Sequence, residues 1–219
     1  MRFEQLAVEV YADDAALGKA AAEQAAAVLR ATVADRGQAN VLVATGNSQL
    51  SFYAALRAMP DIDWARIRMF HLDEYVGMRA DHPAAFRRYL HEKIVDAVRP
   101  AAFNEIVGDA PDPEHECRRY EALLRSHPAD LCCLGIGENG HLAFNDPPFA
   151  DFADSAWVKV VQLDEASRRQ QVGEGHFAAL ADVPTHAITL TIPAMLAARH
   201  VLAIVPEQRK AAAVRAALL

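Results

Sequence analysis

Three features of the chain predict an α/β fold: a single domain on a doubly wound, mostly parallel sheet with helices on both faces, Rossmann-like in plan. Short apolar runs alternate with helical stretches from one end to the other. Several of those runs end in polar segments that carry glycine, and that end of a strand is where open α/β sheets bind ligands. With 219 residues and 53% hydrophobic content, the chain can bury a full core as one domain spanning 1–219.

In order along the chain, Leu6-Ala7-Val8-Glu9-Val10 alternates as a half-buried edge strand does. Asp13 or Asp14 can cap a helix through Arg30, in which Ala15, Leu17, Ala21, Ala25 and Val28 form the apolar stripe. Val41–Ala44 reads as a buried strand that enters Thr45-Gly46-Asn47-Ser48-Gln49, and a helix follows from Leu50 to Ala58. Free N–H groups at that helix start, with the Thr45 and Ser48 hydroxyls, suit an anion; Ser48 acting only as a cap is an equally simple reading. Polar Asp61 to Arg66 leads into a strand from Ile67 to Asp73, and a loop over 78–83 precedes a helix from Ala84 to Val98. Its apolar face is Phe86, Tyr89, Leu90, Ile94 and Val98, which puts Arg87 and Arg88 on the wet side.

Pro100 to Pro113 is turn-rich, and Glu114 to Ser126 is amphipathic, with Cys117, Tyr120, Leu123 and Leu124 inward, ahead of a Leu131–Leu134 strand. Further strands fall at Trp157–Val161, Ala187–Ile192 and Val201–Val205. Between them lie a helical or turn region from Asp164 to Gln171, holding Arg168 and Arg169, and a helical turn near Pro193 to Ala198. Pro206 starts the final helix, whose first turn carries Arg209 and Lys210. A cation there opposes the helix macrodipole, and a bound anion would supply the missing electrostatic reason.

The formal net charge of −7 argues against nucleic acid or an anionic membrane as a bulk partner. No apolar run reaches the length of a membrane span, and Met1-Arg2-Phe3-Glu4 lacks a signal-peptide pattern, so cytoplasm is the expected compartment. The three cysteines, Cys117, Cys132 and Cys133, read as reduced core residues and not as metal ligands or a nucleophile.

Two segments carry the chemistry. Gly135 to Pro147, Gly-Ile-Gly-Glu-Asn-Gly-His-Leu-Ala-Phe-Asn-Asp-Pro, places His141 and Asp146 in a glycine-rich loop, with Pro147 and Pro148 preventing an immediate helix. A histidine held by a carboxylate is a poised acid or base near neutral pH. Phe70-His71-Leu72-Asp73-Glu74-Tyr75-Val76-Gly77 ends a strand in two acids that point in different directions, so one of them can share a pocket with His141.

Leu72 to Gly77 and Gly135 to Pro147 together resemble the two signature segments of the glucosamine-6-phosphate deaminase (isomerase) family, within the wider group that includes 6-phosphogluconolactonases. The resemblance runs from Val41 to the end of the chain. It implies a sugar-phosphate substrate and no cofactor or metal. It also implies Asp73 as the base for C2, His141 as the acid/base for ring opening, and Asp146 as the carboxylate that orients the imidazole. Asn139 stands where many relatives have Asp, and Asp146 where many have Glu.

Thr45, Gly46, Asn47 and Ser48 match the phosphate loop in part, since many members have Thr-Gly-Gly-Thr-Pro there. Gly137 belongs to the substrate loop, and by position Lys210 and Arg168, in preference to Arg169, match the phosphate-gripping cations. Glu74 and Tyr75 are expected to support the site from behind. Pro148 to Asp154 is acidic and apolar where some members build an amino-sugar phosphate activator site, so none is expected here. Family chains normally continue through another helix and strand beyond the point that matches Leu219.

The sequence therefore points to an aldose–ketose isomerase with deamination, acting on glucosamine 6-phosphate or a near relative. The alternatives are a 6-phosphogluconolactonase, whose Thr-Ala-Ser continuation after the histidine is absent, and a non-catalytic sugar-phosphate sensor. Monomer and homo-oligomer are both open.

Overall fold

The computed structural model describes residues 2–3, 6–147 and 149–219. The readings that involve Met1, Glu4 and Pro148 fall outside the described residues. β1 (Arg2–Phe3) and β2 (Leu6–Ala7) form a small antiparallel pair. The expected edge strand over Leu6–Val10 is thus only two residues long and joins no larger sheet. Of its alternating apolar residues, Leu6 and Val10 are exposed and Val8 is half-buried.

α1 (Asp14–Arg36) starts on Asp13, whose carboxylate accepts from the Ala16 N–H, and ends on Gly37 in the left-handed region at φ 76°. It runs six residues past Arg30 because nothing before Gly37 breaks it. Its alanines allow close approach to α2 (Leu50–Leu56), and a Cβ on Gly18 would meet Ser51 Oγ at 2.6 Å. Between them lies β3 (Ala39–Val43).

β4 (Ile67–His71) is followed after one residue by β5 (Asp73–Tyr75). The run expected as a single strand is therefore two, and the two belong to different sheets. A helical stretch then comprises α3 (Phe86–Leu90), a π turn over His91–Val95 and α4 (Asp96–Val98). Arg87, expected on the wet side, is buried: its guanidinium donates to Met78 O at 2.8 Å and pairs with Asp109 at 2.5 Å. Arg88 does face solvent, paired with Glu92.

β6 (Ala102–Asn104), α5 (Pro113–Ser126, capped by Asp112) and β7 (Leu131–Leu134) come next, followed by β8 (Val158–Gln162) and α6 (Glu165–Gly173, capped by Asp164). β9 (His186–Leu190), α7 (Ile192–Leu196), β10 (His200–Ala203), a 3-10 turn over Gln208–Lys210 and α8 (Ala211–Leu218) complete the chain.

Five strands make an all-parallel sheet in the order β10-β7-β3-β4-β6. Alternate residues divide its two faces. Val41, Val43, Met69 and Cys133 pack with Leu29, Phe52, Tyr53 and Ile94 on the side of α1, α2 and the 86–98 helix. Leu42, Phe70, Cys132 and Leu134 pack with Tyr120, Leu124, Ile188 and Met195 on the side of α5, β9 and α7. All three cysteines are free and buried. A second, antiparallel sheet, β5-β9-β8, sits beyond the first, and Asp73 pairs with Thr189 in it. Among the described residues, no helix is long and apolar enough to cross a membrane.

Candidate active site

β3, β4 and β7 end side by side, and the segments that follow them, with the 3-10 turn after β10, wall one open cleft of about 850 Å³ including its mouth. Thr45, Gly46, Asn47, Ser48, Asp73, Gly137, His141 and Lys210 all line it. Three loops can converge there because glycines leave room. A Cβ on Gly137 would lie 2.2 Å from the His141 ring, and one on Gly135 3.0 Å from Ser48 Oγ. Gly46, at φ 99°, turns β3 into the helical region, and the Tyr89 hydroxyl fixes it by donating to its carbonyl at 2.8 Å.

Asp73 is buried, and burial, with the neighbouring Glu74 charge adding to it, pushes its pKa up to about 8. Glu74 turns the other way and accepts from the Tyr75, Phe86 and Arg87 N–H groups, so it caps α3 and pins the strand that presents Asp73. Burial raises Glu74 as well, but those three donors oppose the rise, so the proton belongs first to Asp73. Tyr75 lies beneath the cleft, packed on Phe86 and Phe144 with its hydroxyl donating to Gln171. The remaining motif histidine, His71, is a core residue: burial lowers its pKa to about 3, and its Nε2 accepts from Ile106 N–H.

His141 is held through one ring nitrogen. Asn139 Oδ1 lies 2.7 Å from Nδ1, while Asn139 Nδ2 donates to Asp146 Oδ1 at 3.0 Å. Because a carboxylate only accepts, Asp146 fixes the amide's orientation, which in turn requires hydrogen on Nδ1 and leaves the Nε2 lone pair free. Ser167 closes the network, donating to Asp146 Oδ1 at 2.5 Å and lying 3.1 Å from Nδ1. Asp146 itself stands 3.3 Å from Nδ1. The carboxylate expected to orient the imidazole therefore does so chiefly through Asn139 and Ser167. Burial would raise the Asp146 pKa, but hydrogen bonds from His141, Ser167 and Asn139 outweigh it and hold the group at about 2. Ala143, in the left-handed region at φ 50°, marks backbone strain in this loop.

At the other end of the cleft, Lys210 is buried, and that burial lowers its pKa against the opposing pull of Glu174. Arg168 is not in the cleft. Its guanidinium turns back to donate to the carbonyls of Leu180 and Val183, tying α6 to the segment after it, and Arg169 pairs with Glu165 in solvent. The second cation is Arg209, next to Lys210, and Gln170, Gln171, Glu174 and His176 from the end of α6 join it. The sequence puts Arg209 in the same helical turn as Lys210 and gives no local sign that it joins the site. Nothing local signals Glu174 or Ser167.

The fold and cleft define a class: a parallel α/β sheet whose strand ends gather a raised carboxyl, an imidazole with one free nitrogen, and a buried lysine beside a more exposed arginine, able to move protons beside an anion. The chain belongs to the family of glucosamine-6-phosphate isomerases and 6-phosphogluconolactonases, which it matches over residues 12–219. It is 37% identical to a glucosamine-6-phosphate deaminase from an Exiguobacterium species over 79% of this chain and 66% of that protein. Against the Bacillus cytotoxicus glucosamine-6-phosphate deaminase it is 35% identical over 89% and 72%. The match thus spans a little under two thirds of the Exiguobacterium relative's length. A monomeric glucosamine-6-phosphate deaminase superimposes with a TM-score of 0.87 at 29% identity, covering 97% of this chain and 87% of that one. A 6-phosphogluconolactonase from Shewanella baltica shares the fold at TM-score 0.78 and 22% identity, covering 99% and 88%.

Proposed function

We propose that the protein is a glucosamine-6-phosphate deaminase that converts an amino-sugar phosphate, glucosamine 6-phosphate or a close relative, to a ketose phosphate and ammonia. The observation that carries this reading is the buried Asp73 carboxyl in one cleft with His141. Its pKa of about 8 makes it a stronger base than a free aspartate, yet one still ionisable near neutral pH.

In this scheme, His141 Nε2 takes the proton from O1 of the pyranose, and the imidazole returns one to O5, which opens the ring. Asp73 removes the C2 proton from the open aldehyde as O1 takes up a proton, giving an enolamine, and the protonated Asp73 then returns its proton to C1, leaving the C2 imine. That imine adds water and expels ammonia, leaving the ketone. Lys210 and Arg209, with the Thr45 to Ser48 loop, anchor the phosphate and fix C2 against Asp73. The steps require only protons and water. The relatives at 35–39% identity named as deaminases support this reading.

Incubation of the purified protein with glucosamine 6-phosphate, with ammonia as the readout and 6-phosphogluconolactone as a parallel substrate, tests the proposal. Ammonia release without lactone hydrolysis is expected. Lactone hydrolysis alone would make the protein a lactonase, and inertness toward both, with phosphate esters still bound, would make it a sensor.

A further inference from the structure

At the cationic end of the cleft, the charges already have a partner. Arg209 Nη2 stands 3.2 Å and Lys210 Nζ 3.9 Å from the same oxygen, Glu174 Oε1, which also accepts from Gln170 Nε2 at 2.8 Å. His176 Nε2 lies 3.4 Å from the other oxygen. The Glu174 and Lys210 side chains are each 5% exposed, so water screens their attraction little. Arg209 meets Glu138 and Glu207 as well, so three carboxylates face two cations. Glu174 follows directly on the last residue of α6, and a carboxylate at a helix C-terminus has no local electrostatic reason to be there. The cations hold it.

A phosphate dianion brought to Lys210 would meet the Glu174 carboxylate at close range in a poorly screened site, and like charges there repel strongly. The two anions compete for the same ammonium. We propose that Glu174 is the counter-ion that an incoming phosphoryl group displaces from Lys210 and Arg209. Before the anion arrives, it keeps the two cations charged and in place. By competing for them, it makes free phosphate a poor ligand, whereas a sugar phosphate offsets the cost of displacement with its hydroxyl contacts. Glu174 is thus a specificity-determining residue. The inference rests on reading this end of the cleft as the phosphate pocket.

Calorimetric titration of the full chain with inorganic phosphate, in the parent protein and in Glu174→Gln, tests it. The amide keeps the shape and an acceptor for Gln170 but removes the competing charge, so phosphate should bind about tenfold tighter. KM for glucosamine 6-phosphate should fall by more than kcat changes. Glu174→Asp keeps the charge but draws it back by one methylene; if the Gln variant does not fold, a several-fold tightening in Asp carries the same conclusion. Phosphate binding that is equal or weaker in the folded variants would overturn the inference and make Glu174 a fixed brace. Binding is read without turnover, so tightened phosphate binding in a protein that releases no ammonia would remove the deaminase reading alone. Unchanged binding alongside normal ammonia release would remove this one alone.

Discussion

Asp73, which lines the cleft, and Asp146, which stands behind His141, are both buried and are the same residue type, yet their environments drive them to opposite charge states. Burial, with Glu74 beside it, raises the Asp73 pKa to about 8; Asp146 receives bonds from His141, Ser167 and Asn139 and falls to about 2. Burial acts in the same direction on both. The donors decide which aspartate becomes a base and which a permanent charge.

The largest effect should come from removing the first half of that pair. Asp73→Asn should lower ammonia release by about 10³-fold or more while leaving sugar-phosphate binding intact, as equilibrium binding alongside turnover would show. Near-parental activity in that variant would remove the base assignment. His141→Gln should cost about 10²-fold in kcat, and a chemically opened or ring-blocked substrate analogue would separate ring opening from proton abstraction.

A smaller effect is expected from the second half. Asp146→Asn replaces an acceptor-only carboxylate with an amide that can either accept or donate, so the Asn139 carbonyl no longer has to face Nδ1. A drop of about tenfold to a hundredfold in kcat, with KM little changed, is the expected outcome in steady-state assays. No change would show that Asn139 and Ser167 orient the ring unaided.

Stability should divide the two residues most finely. The folded-state pKa of Asp73 lies above its ordinary value of 3.8, so the native protein holds a proton that the unfolded chain releases, and stability is lost as pH rises from 3.8 through about 8. Asp73→Asn should therefore gain on the order of 10 °C in Tm over the parent at pH 8 relative to pH 5, from about 1.4 kcal/mol per pH unit and about 2–4 °C per kcal/mol. Asp146 has the opposite sign: its contribution is present above 3.8 and lost as pH falls through about 2. Asp146→Asn should lower Tm at neutral pH, and the deficit should close on acidification. Parallel thermal scans of both variants check the pair.

The same contrast explains what the sequence made legible. Asp73, His141 and the Thr45–Ser48 loop follow short apolar strands and carry glycines, so strand ends and chemistry could be read together. β5 could not be separated from β4, because the change of sheet occurs at a single buried Leu72 with no glycine or proline to mark it. Arg168 leaves the cleft because its guanidinium is captured by two carbonyls of a segment more than ten residues away, a long-range contact that local pattern does not encode. Arg87 is buried for the same kind of reason, since Asp109 and Met78 O offset its desolvation. Ser167 and Glu174 enter the site through contacts distant in sequence, with Asp146 and with Lys210.

Carboxyl titration by NMR, on protein labelled with ¹³C at aspartate side chains, tests the central claim most directly. One aspartate should titrate with a midpoint near pH 8 and vanish from the spectrum of Asp73→Asn, while the signal lost in Asp146→Asn should stay ionised down to about pH 2. If every aspartate titrated below pH 5, the cleft would hold no raised base, and the division of labour between Asp73 and Asp146 would be contradicted.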